Sequence, residues 1–111
     1  MIDKNEQRRR KIAKESQKII GKNIKRYRKL AGISRSNLGI LALFYDRNDQ
    51  EESKKAYQKI NKFEQGHQQP KAHELRELGS ALSVTLGDFF ITNDYIDPRV
   101  ENRLINKRNE K

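Results

Sequence analysis

Apolar residues recur along this chain at spacings of three and four, the signature of helices with one buried face. Ile20, Ile24 and Tyr27 predict an amphipathic helix over residues 17–31, QKIIGKNIKRYRKLA, with Lys22, Lys25, Arg26 and Lys29 off the stripe. Gly21 lies inside it. Glycine costs a helix ~1 kcal/mol relative to alanine, so a close packing contact is expected there. Gly32 ends the helix, with Ile33 as the apolar residue beyond the cap. Ser34 then caps a second helix, with Leu38, Leu41 and Ala42 on one face and Phe44 and Tyr45 closing it. A third stripe is Ala56, Ile60 and Phe63, terminated by Gly66. Pro70 sits near the first position of a fourth helix, whose buried face is Leu75, Leu78 and Leu82. Thr85 and Asp88 form the cap of a short fifth helix anchored by Leu86, Phe89 and Phe90. Asp97 and Pro98 open a last short helix to about Lys107, with Val100 and Leu104 four apart. It either packs on its own domain or pairs with a second subunit. Nothing reads as a strand or a repeat, so the chain is expected to be all-α.

Two polar stretches are open to more than one reading. Residues 1–16 hold only Ile2, Ile12 and Ala13 as apolar residues after Met1, and Arg8, Arg9, Arg10 and Lys11 are their densest basic cluster. This extension either prolongs the following helix, or is an arm that orders on DNA, or is a disordered terminus. Residues 46–55, DRNDQEESKK, either begin a helix near Asp49 that runs through Gln65, or form a loop between two shorter helices.

Composition narrows the partners. The chain has 111 residues, 33% hydrophobic and 36% charged, enough for one domain with a small core. Its net charge of +10 is one-sided: residues 1–33 carry 12 Lys and Arg against 3 Asp and Glu, while residues 67–111 carry 7 of each. A one-sided basic excess favours a polyanion partner such as nucleic acid. There is no Cys and only His67 and His73, so thiolate chemistry is excluded and neither a metal site nor a cofactor is implied. No apolar run approaches the ~20 residues of a membrane span, and none that reads as a secretory signal follows the start. A cytoplasmic protein without a membrane partner is expected.

The third stripe decides what kind of partner is sought. In AYQKINKFEQG, residues 56–66, the apolar positions back a face of long donors and acceptors. Such a helix suits the reading of base edges in a major groove, although an ordinary surface helix has the same pattern.

With its neighbours, this stretch resembles the lambda-repressor-like helix-turn-helix family, the xenobiotic response element type. The likeness covers about Ile20 to Phe90. IGKNIKRYRKLAGISRSNLG aligns without gaps to the family pattern I-G-x-x-I-x-x-x-R-x-x-x-G-[LIM]-S-x-x-x-L-[AG]. YQKINKFEQG, Pro70 and LRELGSALSVTLGDFF match the remainder. The resemblance implies a five-helix DNA-binding domain over residues 17–91, between the basic extension 1–16 and a short helical tail, 92–111. It also implies roles. Arg28 and Glu64 correspond to an internal ion pair. Arg35 falls where the family usually has Gln and touches a phosphate, with Ser36 beside it in the first turn of the second helix. Tyr57, Gln58 and Lys59 fall on the base-reading start of the recognition helix, Gln58 suited to adenine and Lys59 to guanine. Lys62 is a phosphate ligand one turn later; Lys54 and Lys55 lie in the stretch 46–55 and would attract phosphate if it lengthens the recognition helix.

One departure bears on docking. Ile60 lies 22 positions beyond Leu38, about twice the family's spacing, and the excess is the 46–55 insertion. A lengthened recognition helix would carry Asp49, Glu51 and Glu52 towards phosphate. A bulging loop would leave the usual pose intact.

The expected function is a sequence-specific transcriptional regulator of the repressor type, binding double-stranded operator DNA as a homodimer. The alternative is an interaction module on the same fold, such as an antitoxin or accessory regulator with a toxin or co-regulator as partner. An enzyme is not expected. His67 and His73 are six apart, wrong for one helix face, and Glu64 near His67 sits at a turn with no pocket implied.

Overall fold

In a computed structural model, residues 3–110 are described; Met1, Ile2 and Lys111, the ends of the predicted extension and tail, lie outside the described residues. The chain is all-α. Its elements are α1 (Lys4–Leu30), α2 (Arg35–Leu43), α3 (Gln50–Glu64), α4 (Ala72–Leu82), a 3-10 helix (Leu86–Phe90) and α5 (Pro98–Asn109). No helix among the described residues is long and apolar enough to cross a membrane.

The core is one cluster to which every element contributes. Ile20, Ile24 and Tyr27 of α1 meet Leu38 and Ala42 of α2, Ile60 and Phe63 of α3, and Leu78 and Leu82 of α4. Phe89 sets its ring against Tyr27, 6.0 Å between centroids at an interplanar angle of 61°. Burial raises the Tyr27 phenol above its ordinary pKa, and its hydroxyl donates to the Asp88 carbonyl at 2.6 Å. Asn23 is fully buried and its amide donates to the carbonyls of Phe89 and Ile91, at 2.7 and 2.9 Å. These bonds lash the chain after the 3-10 helix to α1. Val100 and Leu104 of α5 join the same cluster, so the last helix packs on its own domain, one of the two placements expected for it.

Close approach explains where α3 sits. A Cβ on Gly21 would lie 2.1 Å from the Phe63 carbonyl oxygen, and one on Gly39 would lie 2.7 Å from the Ala56 Cβ. Backbones pass this closely only where a side chain is missing. Two glycines, on α1 and on α2, thus make the notches into which α3 settles. The contact expected of Gly21 is found; Gly39 was not foreseen.

Several expectations are corrected. Leu41 is 51% exposed, because Gly39 turns the inner face of α2 towards Leu38, Gly39 and Ala42. Phe44 does not close that face: it caps α2 in the left-handed region (φ 62°) and is 77% exposed. Pro70 lies two residues before α4; the backbone N–H of Lys71 donates to Glu74, which closes the first turn. Leu86 and Phe90 are exposed, and only Phe89 of that helix is buried. The insertion takes the first of its two readings: residues 46–49 precede the helix, and Gln50–Lys55 begin α3, which runs from the Asp49 cap to the Gln65 cap. The basic extension takes the first of its readings: it prolongs the following helix, as the N-terminal half of α1.

Candidate nucleic-acid interface

The site is built around one buried carboxylate. Glu64 ends α3 with its side chain 0% exposed, and Arg28 reaches it from α1 at 9% exposure. The Arg28 Nε donates to Oε2 at 2.6 Å and its terminal amino group to Oε1 at 3.2 Å. The other terminal amino group donates to the Ile33 carbonyl at 3.0 Å, which fixes the turn into α2. Such fork-to-carboxylate geometry is the strongest form of the ion pair.

Glu64 holds a second arginine. Nε of Arg35, at the start of α2, donates to Oε1 at 3.0 Å, and the Arg35 side chain is 23% exposed. Its guanidinium lies over the Tyr57 ring, 5.7 Å from the centroid. Glu64 engages only Nε, and the part-exposed guanidinium lies beside Tyr57. The sequence comparison that put Arg35 in place of Gln gave no hint of this second ion pair. Ser36 follows on the same turn, half-buried.

The outer face of α3 follows from its period. Ala56, Ile60, Phe63 and Glu64 are buried, so the opposite side carries Glu51, Lys55, Gln58, Lys62 and Gln65, all exposed. Lys54, Tyr57 and Asn61 form the shoulder nearest Arg35, at spacings of three and four. Asn61 and Gln65 were not singled out from sequence, though they continue the line of Gln58 by three and seven positions.

Lys59 does not belong with Tyr57 and Gln58. Two positions on a helix are separated by about 200°, so Tyr57 and Lys59 fall on opposite shoulders. The Lys59 ammonium stands 5.4 Å from the Phe63 ring centroid and 3.8 Å from Glu74, with the side chain 24% exposed. It braces α3 against α4. The expectation that Lys59 shares one face with Tyr57 and Gln58 is corrected by this placement.

The four basic residues of the predicted arm, Arg8, Arg9, Arg10 and Lys11, are all exposed on α1, and they do not share a face. Arg10 pairs with Glu6 at 3.2 Å. His67 and His73 are exposed, and the Glu64 carboxylate is committed to two arginines. No cluster of three metal-ligating side chains occurs among the described residues.

Comparison with known proteins gives no match, whether to a family model, a curated protein or a solved structure. The arrangement can do what its chemistry offers. It presents amides and ammonium groups along one helix, next to a guanidinium held rigid at the junction with another.

Proposed function

We propose that this protein is a sequence-specific DNA-binding regulator in which α2 and α3 are the two helices of a lambda-repressor-like helix-turn-helix and α3 enters the major groove. The observation that carries the reading is the pinned Arg35. Glu64 fixes its Nε and Tyr57 supports its plane, so two donors are preorganised for a phosphate at the edge of the amide-bearing face of α3. Gln58 is the base reader, with Asn61 one turn on; Lys54, Lys55 and Lys62 flank them as phosphate ligands. Glu51 and Glu52 lie in the first turn of α3, so the groove receives the middle of the helix and not its N-terminal tip. The functional unit is a homodimer on a near-palindromic site, acting in the cytoplasm.

The test is selection from a randomised duplex pool at about 0.15 M salt. Enrichment of one motif is expected, and a pool that stays random would sink the reading. Against the enriched motif, Gln58→Ala should cost about 1–3 kcal/mol and relax preference at one base pair. Arg35→Ala should instead weaken all sequences alike and reduce the salt slope by about 1. Both residues lie outside the core cluster, so unfolding curves distinguish lost binding from lost fold.

A second reading, an antitoxin or accessory regulator, has one observation in its favour. Leu41 and Phe44 are large apolar groups left in solvent at the end of α2, where a partner chain would cover them. A partner that co-purifies with the parent and is lost on Phe44→Ser would support it.

A further inference from the structure

We infer that a second copy of this chain docks on the outer end of α2, with the Phe44 ring of each protomer seated in the groove beside Leu41 of the other. The inference rests on the homodimer of the reading above and names its interface.

Phe44 ends α2 in the left-handed region (φ 62°), where glycine or asparagine sits easily and a bulky side chain is disfavoured. Its ring stands in solvent outside the core cluster, so within one protomer nothing offsets that backbone. A disfavoured conformation that holds an aromatic ring outward points to an occupant beyond the protomer.

The rest of α2 agrees. Successive positions turn by about 100°, so Ile40, Leu41 and Phe44 fall within about 100° of one another. They lie outside the arc of Leu38, Gly39 and Ala42, which faces the core. Ile40 is half-buried and Leu41 exposed. The helix is therefore apolar on both sides, the pattern of one covered on both, and only one side is covered.

Knob and hole share this surface. Beside Leu41 is a groove of about 340 Å³ where α2, α4 and α5 meet, lined by Ile33, Leu41 and Ala81 and by the charged Arg47, Lys107 and Glu110. It has room for a phenyl ring. A two-fold axis between Phe44 and Leu41 lets each protomer give one ring and receive another, and the contact closes on itself.

The charge around this face suits a second copy. At +10, most of the surface of the chain repels another copy. Here, among the described residues, the cations Arg47, Lys59 and Lys107 stand with the carboxylates Glu74, Glu77 and Glu110 in the groove and in the hollow around Phe44. Asp46 and Asp49 lie in the loop that follows Phe44. A face so balanced offers a polyanion no row of cations and can meet itself without repulsion. Neither the groove nor the hollow includes Arg35, Gln58 or Lys62, so the residues assigned to DNA stay free.

Sedimentation equilibrium of the full chain, without DNA, tests this. A patch of a few side chains predicts a dimer weaker than one with the usual ~800 Å² per partner, so concentrations from about 5 to about 500 μM are needed. Phe44→Asn removes the ring and suits the left-handed backbone, so the variant should fold at least as well as the parent. Leu86→Ser removes an exposed leucine that lines neither the groove nor the hollow. In the parent and in Leu86→Ser, the average mass should climb from one chain towards two. An aromatic anchor is worth at least about tenfold in affinity, and two-fold symmetry removes two at once, so Phe44→Asn should weaken the dimer by about 100-fold or more. A parent that stays monomeric, a dimer that Phe44→Asn leaves intact, or equal loss in both variants would each overturn the interface; the first would give this face to a different partner chain. Enrichment of a DNA motif is scored separately. A dimer that enriches none removes the DNA reading and keeps the interface, and a monomer that enriches one does the reverse.

Discussion

Glu64→Ala is expected to lower stability by about 3–5 kcal/mol, because it strips two arginines of their shared counter-ion. Arg28 is almost wholly enclosed, and its Nε and one amino group would lose their acceptors in a site that water does not readily enter. For a domain of this size, each kcal/mol moves the midpoint by roughly 4–8 °C, so thermal unfolding followed by circular dichroism should fall by more than about 12 °C. Glu64→Gln keeps an acceptor without the charge and should fall between alanine and the parent. Arg35→Ala should cost much less, since Glu64 keeps Arg28 and the Arg35 side chain is already part-solvated. If Glu64→Ala and Arg35→Ala are equally mild, the carboxylate is not the hub of the site.

That ranking shows what the sequence could and could not reveal. The helices were legible because apolar spacing and caps agree: Ser34, Asp49, Thr85 and Asp97 each stand where a helix begins. The stripe Ala56, Ile60 and Phe63 is buried as read. Side-chain direction at the flanks was less legible. Lys59 and Gln58 are neighbours in sequence, yet helix period already sets Lys59 on the opposite shoulder from Tyr57, where Glu74, 15 positions on, meets its ammonium. The local period shows the shoulder, and only the Glu74 contact was beyond it. Leu41 was misplaced for a related reason: a buried face is set by the partner helix, and the small residue Gly39 moved that face by part of a turn. The arm was ambiguous because helix propensity without an apolar stripe does not settle whether a segment is ordered. Its continuity with the packed half of α1 is what settles it.

Gly21→Ala is the second large effect, and its sign opposes helix propensity. In an exposed helix this change would add about 1 kcal/mol of stability. Here the new Cβ would lie 2.1 Å from the Phe63 carbonyl oxygen and 2.9 Å from that of Glu64. Both neighbours are backbone, so no flexible side chain can swing away. Relief requires α1 and α3 to separate by about 1 Å, which loosens Ile24 against Ile60 and Phe63 in a close-packed core. Overpacking of this kind costs about 1–3 kcal/mol or somewhat more, and a net loss of about 2–3 kcal/mol is expected in urea unfolding. Gly87→Ala is the matched control. Its Cβ would meet only the Thr85 Oγ1, at 3.9 Å, and stability should hold or rise slightly. Function should follow the geometry. α3 lies between notches on α1 and α2, so moving it off Gly21 shifts Gln58 relative to Arg35, which α2 carries. Specific DNA affinity, corrected for the folded fraction, should therefore fall for Gly21→Ala and not for Gly87→Ala. A stabilised Gly21→Ala variant would mean that the two helices stand further apart in solution, and that α3 owes its position to the α2 notch alone.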